Sequence, residues 1–308
     1  MTLPQQIRIA EVGPRDGLQN ESAIVPVDTK VAFIDALSQS GVAEIEVTSF
    51  VHPKWVPQLA DAADVLSRIA RRDGVMYSAL VPNMKGLERA VDIGVDQIAV
   101  FTAASETFSE RNTNATIAET IERSVPVVDA AHGQSWPVRG YISCVVACPY
   151  EGRIDPAAVR DVAQRLLDIG VDEIDLGETI GVAVPSDIDR LYDAVGEVIE
   201  PSSTTLHLHD TRATALTCLY RALQLGVCSF DASCVGLGGC PYAPGAAGNV
   251  PTENVVYLCE QLGIQTDVSL DALFEAGRIV LAALERSAPT GVFSADAGAA
   301  DESCAADK

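Results

Sequence analysis

The chain has 308 residues, 48% of them hydrophobic, 21% charged and 5% aromatic, which excludes a disordered chain and supplies a sizeable core. Its 43 acidic residues outnumber 21 basic ones for a net charge of −22, a field that repels phosphate backbones and anionic bilayers, so neither nucleic acid nor membrane is an expected partner. There is no run of 18 apolar residues, no apolar leader within Met1–Ile9 and no CxxC pair among eight cysteines, so a soluble chain in a reducing cytoplasm is expected.

Short β-branched runs alternate with amphipathic stretches along the chain. Strands are predicted near Ile7–Val12, Glu44–Ser49, Met76–Val81, Gln97–Phe101, Val138–Val146, Glu173–Leu176, Thr205–His209 and Ser229–Val235. Helices are predicted between them at Thr29–Ser40, Gln58–Arg71, Lys85–Ile93, Ile117–Ala131, Ala157–Ile169, Ile188–Ile199 and Ala213–Leu225. Asp28 and Asp155 read as helix N-caps, the second followed by Pro156 in the first helical position. Gly41, Gly94, Gly170 and Gly226 stand where helices should stop. Four of these ends share a cadence, SGVAEIEV, IGVDQIAV, IGVDEIDL and LGVCSFDA, each a glycine stop running into the next strand.

Eight such βα units predict an α/β fold closed as a TIM barrel. An open doubly wound sheet is the alternative, but the GxGxxG loop of its nucleotide-binding form is absent after the first strand. A glycine-rich loop, Gly236–Gly248, follows the eighth strand, and two further helices are expected at about Thr252–Gly263 and Leu270–Arg286. Residues 1–287 therefore read as one barrel domain with added C-terminal helices, and 288–308 as an acidic, disordered tail.

The C-terminal ends of barrel strands build the active site of this fold, which directs attention to what stands there. The first strand ends in Glu11-Val-Gly-Pro-Arg15-Asp16-Gly-Leu-Gln19, a cation and a carboxylate side by side that suit a substrate oxygen and a metal, or else a surface ion pair. The seventh ends in His207-Leu208-His209. Residues two apart on a strand face the same way, so both imidazoles reach one ion together, the alternative being two buried hydrogen-bonded histidines. Asp16, His207 and His209 make half of an octahedral site, and Asn249 past the glycine loop offers an amide oxygen as a fourth ligand. Mixed oxygen and nitrogen donors favour Mg²⁺ or Mn²⁺, with Zn²⁺ left open.

Cys240 sits in the middle of the glycine loop. A thiol near its ordinary pKa of about 8.5 stays mostly protonated at neutral pH and can give a proton to a carbanion, or it is an incidental small residue. Cys144, Cys148, Cys218, Cys228, Cys234 and Cys259 read as buried small hydrophobes, and Cys304 lies in the tail. Glu46 on strand 2 and Glu178 just past strand 6 are carboxylates for the metal surroundings, for proton relay or for salt bridges. Asn112 and Tyr150 are polar groups after strands 4 and 5, while His52 and His132 read as surface residues.

Five segments in this order, EVGPRDGLQNE, VTSFVHPKWVPQ, CPYEG, HLHDT and GLGGCPYAPGAAGN, resemble the 3-hydroxy-3-methylglutaryl-CoA lyases of the DRE-TIM metallolyase superfamily from about Ile7 to Arg286. The resemblance implies a TIM barrel with extra C-terminal helices and a divalent cation on Asp16, His207, His209 and Asn249. It implies Arg15 at the developing enolate oxygen, Cys240 as catalytic acid/base, Glu46 and Glu11 near the site, an acyl-CoA substrate and a homodimer. Gln19, Asn112, Tyr150 and Glu178 are the expected substrate-binding residues. Two positions depart from the family pattern: Glu178 where Asp is usual, and Arg212-Ala-Thr-Ala where YGQA is usual after HDT. They bear on the acyl group rather than on the reaction class. A related 3-hydroxyacyl-CoA such as citramalyl-CoA is the alternative substrate. A Claisen-type synthase of the same superfamily is the alternative activity, although the DTTLRDG form of the first motif is absent.

Overall fold

The structure is a computed structural model that describes residues 3–239, 247–287 and 291–295. Its centre is a closed parallel barrel in the order β1-β10-β9-β8-β5-β4-β3-β2. The barrel strands are β1 Arg8–Glu11, β2 Glu44–Ser49, β3 Met76–Leu80, β4 Gln97–Ala103, β5 Val138–Ser143, β8 Glu173–Glu178, β9 Thr204–Leu208 and β10 Ser229–Ala232. These are the eight strands expected, each paired in parallel with its neighbours, with one shift of register between β2 and β3 at Glu46–Thr48, and the chain is a TIM barrel. A two-stranded hairpin, β6 Ala147–Cys148 with β7 Gly152–Arg153, stands over the end of β5, where the predicted strand ran on to Val146.

Helices α1 Val27–Gln39, α2 Ala62–Arg68, α3 Met84–Ile93, α5 Ile117–Gly133, α6 Pro156–Asp168, α7 Pro185–Val195 and α8 Ala215–Leu225 surround the barrel. Their starts are chemically legible. Thr116 and Glu119 form a capping box on α5, and Asp155 caps α6 through the Ala157 amide with Pro156 in the first turn. Asp28 is a correction: Pro26 precedes the helix, so Asp28 falls inside the first turn of α1 and acts on the helix dipole rather than as a cap. The predicted helix at Gln58–Arg71 is also shorter: Pro57–Leu59 form a separate 3-10 turn in which the Gln58 side chain bonds the backbone of Ala23 and Val25, and the chain is already extended at Ile69. A further helix, α4 Glu106–Thr113, was not expected; it is polar and too short for its period to stand out.

Two helices follow the barrel, α9 Thr252–Gln261 and α10 Leu270–Ala283, and α10 packs along α1. Within the segment expected as a tail, residues 291–295 dock: Phe293 is 4% exposed and meets Phe274 edge-on with ring centroids 5.3 Å apart. The rest of that segment lies outside the described residues.

Gly41 ends α1 at φ +91°, and a Cβ there would lie 2.1 Å from the Asp267 carbonyl oxygen. Gly41→Ala is therefore expected to lower unfolding free energy by about 2–4 kcal/mol, read as a lower urea midpoint. An unchanged midpoint would mean that the 265–269 connection yields freely.

The barrel interior is polar. Strand alternation turns Ile45, Ile142, Ile174, Leu206 and Phe230 toward the helices and Glu44, Glu46, Arg139, Tyr141, Glu173, Asp175, Thr205, His207, Ser229 and Asp231 toward the axis. Arg139 stands at the centre, 1% exposed, 2.6 Å from Glu44, 3.3 Å from Asp231 and from Glu173, and 3.7 Å from Asp175. Buried charge of this density survives only when paired, and Arg139 with Arg8 supplies the pairing. Burial and the neighbouring Asp231 push the Asp175 carboxyl well up, which disfavours a further negative charge in this group.

Candidate active site

The chain leaves β1 through a π-helical turn, Gly13–Gly17, in which the amides of Arg15, Asp16 and Gly17 all point at the Val12 carbonyl. Small residues permit it: a Cβ on Gly17 would stand 2.7 Å from Leu237 Cβ. The turn swings Arg15 and Asp16 back over the barrel mouth. Arg15, 7% exposed, donates from Nε to Glu46 at 2.5 Å and from Nη1 to Asp16 at 2.6 Å, and its guanidinium lies 5.3 Å from the Tyr141 ring centre. The Tyr141 hydroxyl donates to the same Glu46 oxygen at 3.2 Å, while the other Glu46 oxygen is buried without a partner. Burial pushes the Glu46 carboxyl up to about 7, against the pull of Arg15.

His207 and His209 arrive from the end of β9 with ring centres 5.2 Å apart. Ligand atoms of Asp16, His207 and His209 all lie within 4.8 Å of one another. Asp231 bonds His207 Nδ1 at 3.0 Å, which orients the ring and leaves its other nitrogen for the site. Burial drives His209 down to about 4, with His207 adding to the effect, so its ring is neutral and a ready donor. Burial opposes charge on Asp16, yet Arg15 and the two histidines outweigh it and hold the carboxyl at about 2.

Asn249 completes the group. Its amide nitrogen donates to Asp16 at 2.9 Å and to the Leu237 carbonyl at 3.0 Å, while its Oδ1 is buried with no partner. A buried carbonyl oxygen left unpaired costs about 1–3 kcal/mol, which a cation facing Oδ1 would offset. An anionic carboxylate and neutral imidazole within reach of one point, with an unpaired amide oxygen on the residue bonded to that carboxylate, make a donor set that fits a divalent cation.

Glu11, expected near the site, holds it from behind. Its carboxylate accepts from the amides of Gly13 at 2.9 Å and Cys234 at 2.8 Å and from the Thr252 hydroxyl at 2.6 Å, tying the π-helical turn to the segment after β10 and to α9. Glu253 accepts from the amide of Val235, a β-branched residue held at φ +53°. Burial raises both carboxyls to about 7. The fold therefore holds these protons up to about pH 7, whereas an unfolded chain releases them near 4.5. The stability this adds is present below that lower value and is lost as pH rises through 7. Glu253→Gln removes one such group and is expected to unfold at higher temperature than the parent at pH 8, with the gap closing toward pH 4.5. Melting curves that stay parallel across that range would contradict it.

The remaining expected residues are placed differently. Glu178 is buried and turns a carboxylate oxygen to the amide of Val182 at 3.0 Å. Gln19 is half-buried just past the π-helical turn and Asn112 is exposed on α4; neither bonds the Arg15–Asp16–histidine group. Tyr150 stands between β6 and β7, 41% exposed, with the Arg111 guanidinium 4.2 Å from its ring centre. Cys240 lies outside the described residues, as does Cys304. The feet of the Cys240 loop are described: Gly239 pairs with Ala247, and His209 with Asn249, so the loop leaves and returns beside the histidines. Cys144, Cys148, Cys218, Cys234 and Cys259 are buried, with burial pushing Cys218 and Cys259 up to about 12; Cys228 is only half-buried, a correction. His52 and His132 are exposed as expected.

Comparison with known proteins gives consistent matches. The model of the HMGL-like family matches residues 6–280. The mitochondrial hydroxymethylglutaryl-CoA lyase of Mus musculus is 49% identical over 294 residues, covering 96% of this chain and 90% of that one. The 3-hydroxy-3-isohexenylglutaryl-CoA/hydroxy-methylglutaryl-CoA lyase of Pseudomonas aeruginosa is 49% identical over 287 residues, covering 93% of this chain and 96% of that one. A crystal structure of hydroxymethylglutaryl-CoA lyase from Pseudomonas aeruginosa superposes with a TM-score of 0.95 at 48% identity, covering 97% and 99% of the two chains.

Proposed function

The chain belongs to the HMGL-like family, and from that premise we propose that it is a hydroxymethylglutaryl-CoA lyase, splitting 3-hydroxy-3-methylglutaryl-CoA into acetoacetate and acetyl-CoA. The observation that carries this reading is the meeting of Arg15, Asp16, His207, His209 and Asn249 at one barrel end. Asp16, His207, His209 and Asn249 would hold a divalent cation, Mg²⁺ or Mn²⁺, which when bound polarises hydroxyl and carboxylate oxygens of the substrate.

The rest of the chemistry falls to the chain's own groups. Cleavage needs a base for the tertiary hydroxyl proton. Glu46 suits that task, with a carboxyl near 7 and one buried oxygen without a partner. As the carbon–carbon bond breaks, its electron pair passes to the acetyl carbon and negative charge develops on the thioester oxygen. Arg15, fixed by Glu46 and Asp16, offers permanent positive charge there. The enolate carbon then takes a proton, assigned to the Cys240 thiol in the loop whose feet flank His209. Gln19, Asn112 and Tyr150 follow β1, β4 and β5 at the barrel end that carries Arg15, Asp16 and the histidines, which supports a substrate-binding role.

Cys240→Ser is expected to fold and bind metal normally but to lose nearly all turnover, since an alcohol is a far weaker acid than a thiol. Full activity in that variant would remove the thiol from the mechanism. The proposal as a whole is tested by mass spectrometry of products from 3-hydroxy-3-methylglutaryl-CoA and from citramalyl-CoA, with and without Mg²⁺. Metal-dependent acetoacetate and acetyl-CoA from the first substrate is the expected result. Preference for citramalyl-CoA, or condensation of acetyl-CoA with a keto acid, would replace it with the alternative concerned.

A further inference from the structure

Glu178 and Arg212 fasten the same loop. That loop, residues 179–183, leaves β8 alongside the candidate metal site, since Gly177 pairs with His207 and Glu178 with Leu208 between the two histidines. Arg212, in the connection after β9, donates from Nη1 to the carbonyls of Ile180 at 2.9 Å and Gly181 at 3.0 Å. Its guanidinium has no carboxylate partner among the described residues, in a chain with twice as many acidic as basic side chains. Glu178 holds the loop from the other side, accepting from the Val182 amide at 3.0 Å. The Thr179 hydroxyl accepts from the Cys144 amide at 2.8 Å. Gly181, at φ +59°, is pressed so closely by Thr211 that a Cβ would meet its hydroxyl and methine carbon at 2.5 Å.

Four fastenings on five residues make this loop a fixed wall, where an unbraced connection of that length would adapt to its contents. The wall carries two half-buried apolar side chains, Ile180 and Val182, on the stretch that follows the strand end paired with His207 and Leu208. We infer that Arg212 is a specificity-determining positioning residue, which with Glu178 fixes loop 179–183 as a rigid wall of the acyl pocket and so limits the substituent on C3 of the substrate. The inference rests on the lyase reading above. Arg212 acts through the loop: it holds backbone oxygens, whose positions set the pocket's width. A rigid wall rejects a longer substituent by overlap, whereas a released one gives way.

The test compares kcat/KM for 3-hydroxy-3-methylglutaryl-CoA with that for its 3-butyl analogue, in the full-length parent and in Arg212→Ala and Arg212→Lys. The parent should favour the methyl substrate by at least about a hundredfold. Arg212→Ala should narrow that preference about tenfold or more, chiefly through a lower KM for the butyl substrate. Arg212→Lys, which still donates to carbonyl oxygens, should restore most of it. The ratio does not depend on the fraction of enzyme that is folded, so a general loss of stability cannot imitate the effect. A parent with no preference, or a preference unchanged in Arg212→Ala, overturns this inference alone. A parent that cleaves neither substrate overturns the lyase reading and this inference with it.

Discussion

Arg15→Gln is expected to lower kcat by roughly a thousandfold while leaving divalent-metal content near that of the parent. The reasoning starts from charge. Arg15 is buried and held at both ends by Glu46 and Asp16, and this acidic company pulls its pKa well above the usual value despite burial. It therefore carries fixed positive charge into a largely buried site, where such charge acts more strongly on a developing oxyanion than in water. Gln keeps a hydrogen-bond donor and much of the volume but removes the charge. Asp16 keeps its bond from Asn249 and its neighbouring histidines, so metal binding should persist. Steady-state kinetics together with metal analysis check both halves. Near-parental turnover in a metal-loaded variant would take Arg15 out of the chemistry, and metal loss would recast it as a support for Asp16.

His209→Ala should act on the other half of the site, weakening divalent-metal affinity by at least about a hundredfold and abolishing measurable turnover at micromolar metal. His209 is held neutral by burial and by His207, so it loses little on giving its lone pair to a cation. Its Nδ1 has no hydrogen-bond partner, so truncation strands no protein group. The variant should accordingly melt within a few degrees of the metal-free parent, and titration calorimetry with Mn²⁺ would separate lost affinity from lost fold. Unchanged affinity would show that the imidazole pair is structural.

The periodic parts of the molecule were legible in the amino-acid sequence. Eight β-branched runs, four of them entered from a glycine-stopped helix, led to the right barrel, because the helix-facing residues of each strand are apolar and recur with the repeat of the βα units. Arg15, Asp16, His207 and His209 were legible because local spacing already places them at strand ends. The polar interior was not. Glu44, Arg139, Glu173 and Asp231 alternate with apolar residues, and that signal was available, but only barrel closure sets four carboxylates around Arg139. The orienting bond from Asp231 to His207 spans 24 residues and was missed for the same reason. The π-helical turn escaped because nothing in Gly-Pro-Arg-Asp-Gly distinguishes it from an ordinary turn. Arg212 escaped as a brace because its partners are backbone carbonyls, which carry no side-chain signature. Glu178 stood out as a strand-end carboxylate, but its use by the Val182 amide depends on how the loop folds back.

The most direct test of the metal-centred account is a crystal of the protein grown with Mn²⁺ and measured at the manganese absorption edge. The account predicts one strong anomalous peak within bonding distance of Asp16, His207, His209 and the Asn249 Oδ1. A peak elsewhere with this group empty, or none at saturating Mn²⁺, would contradict it.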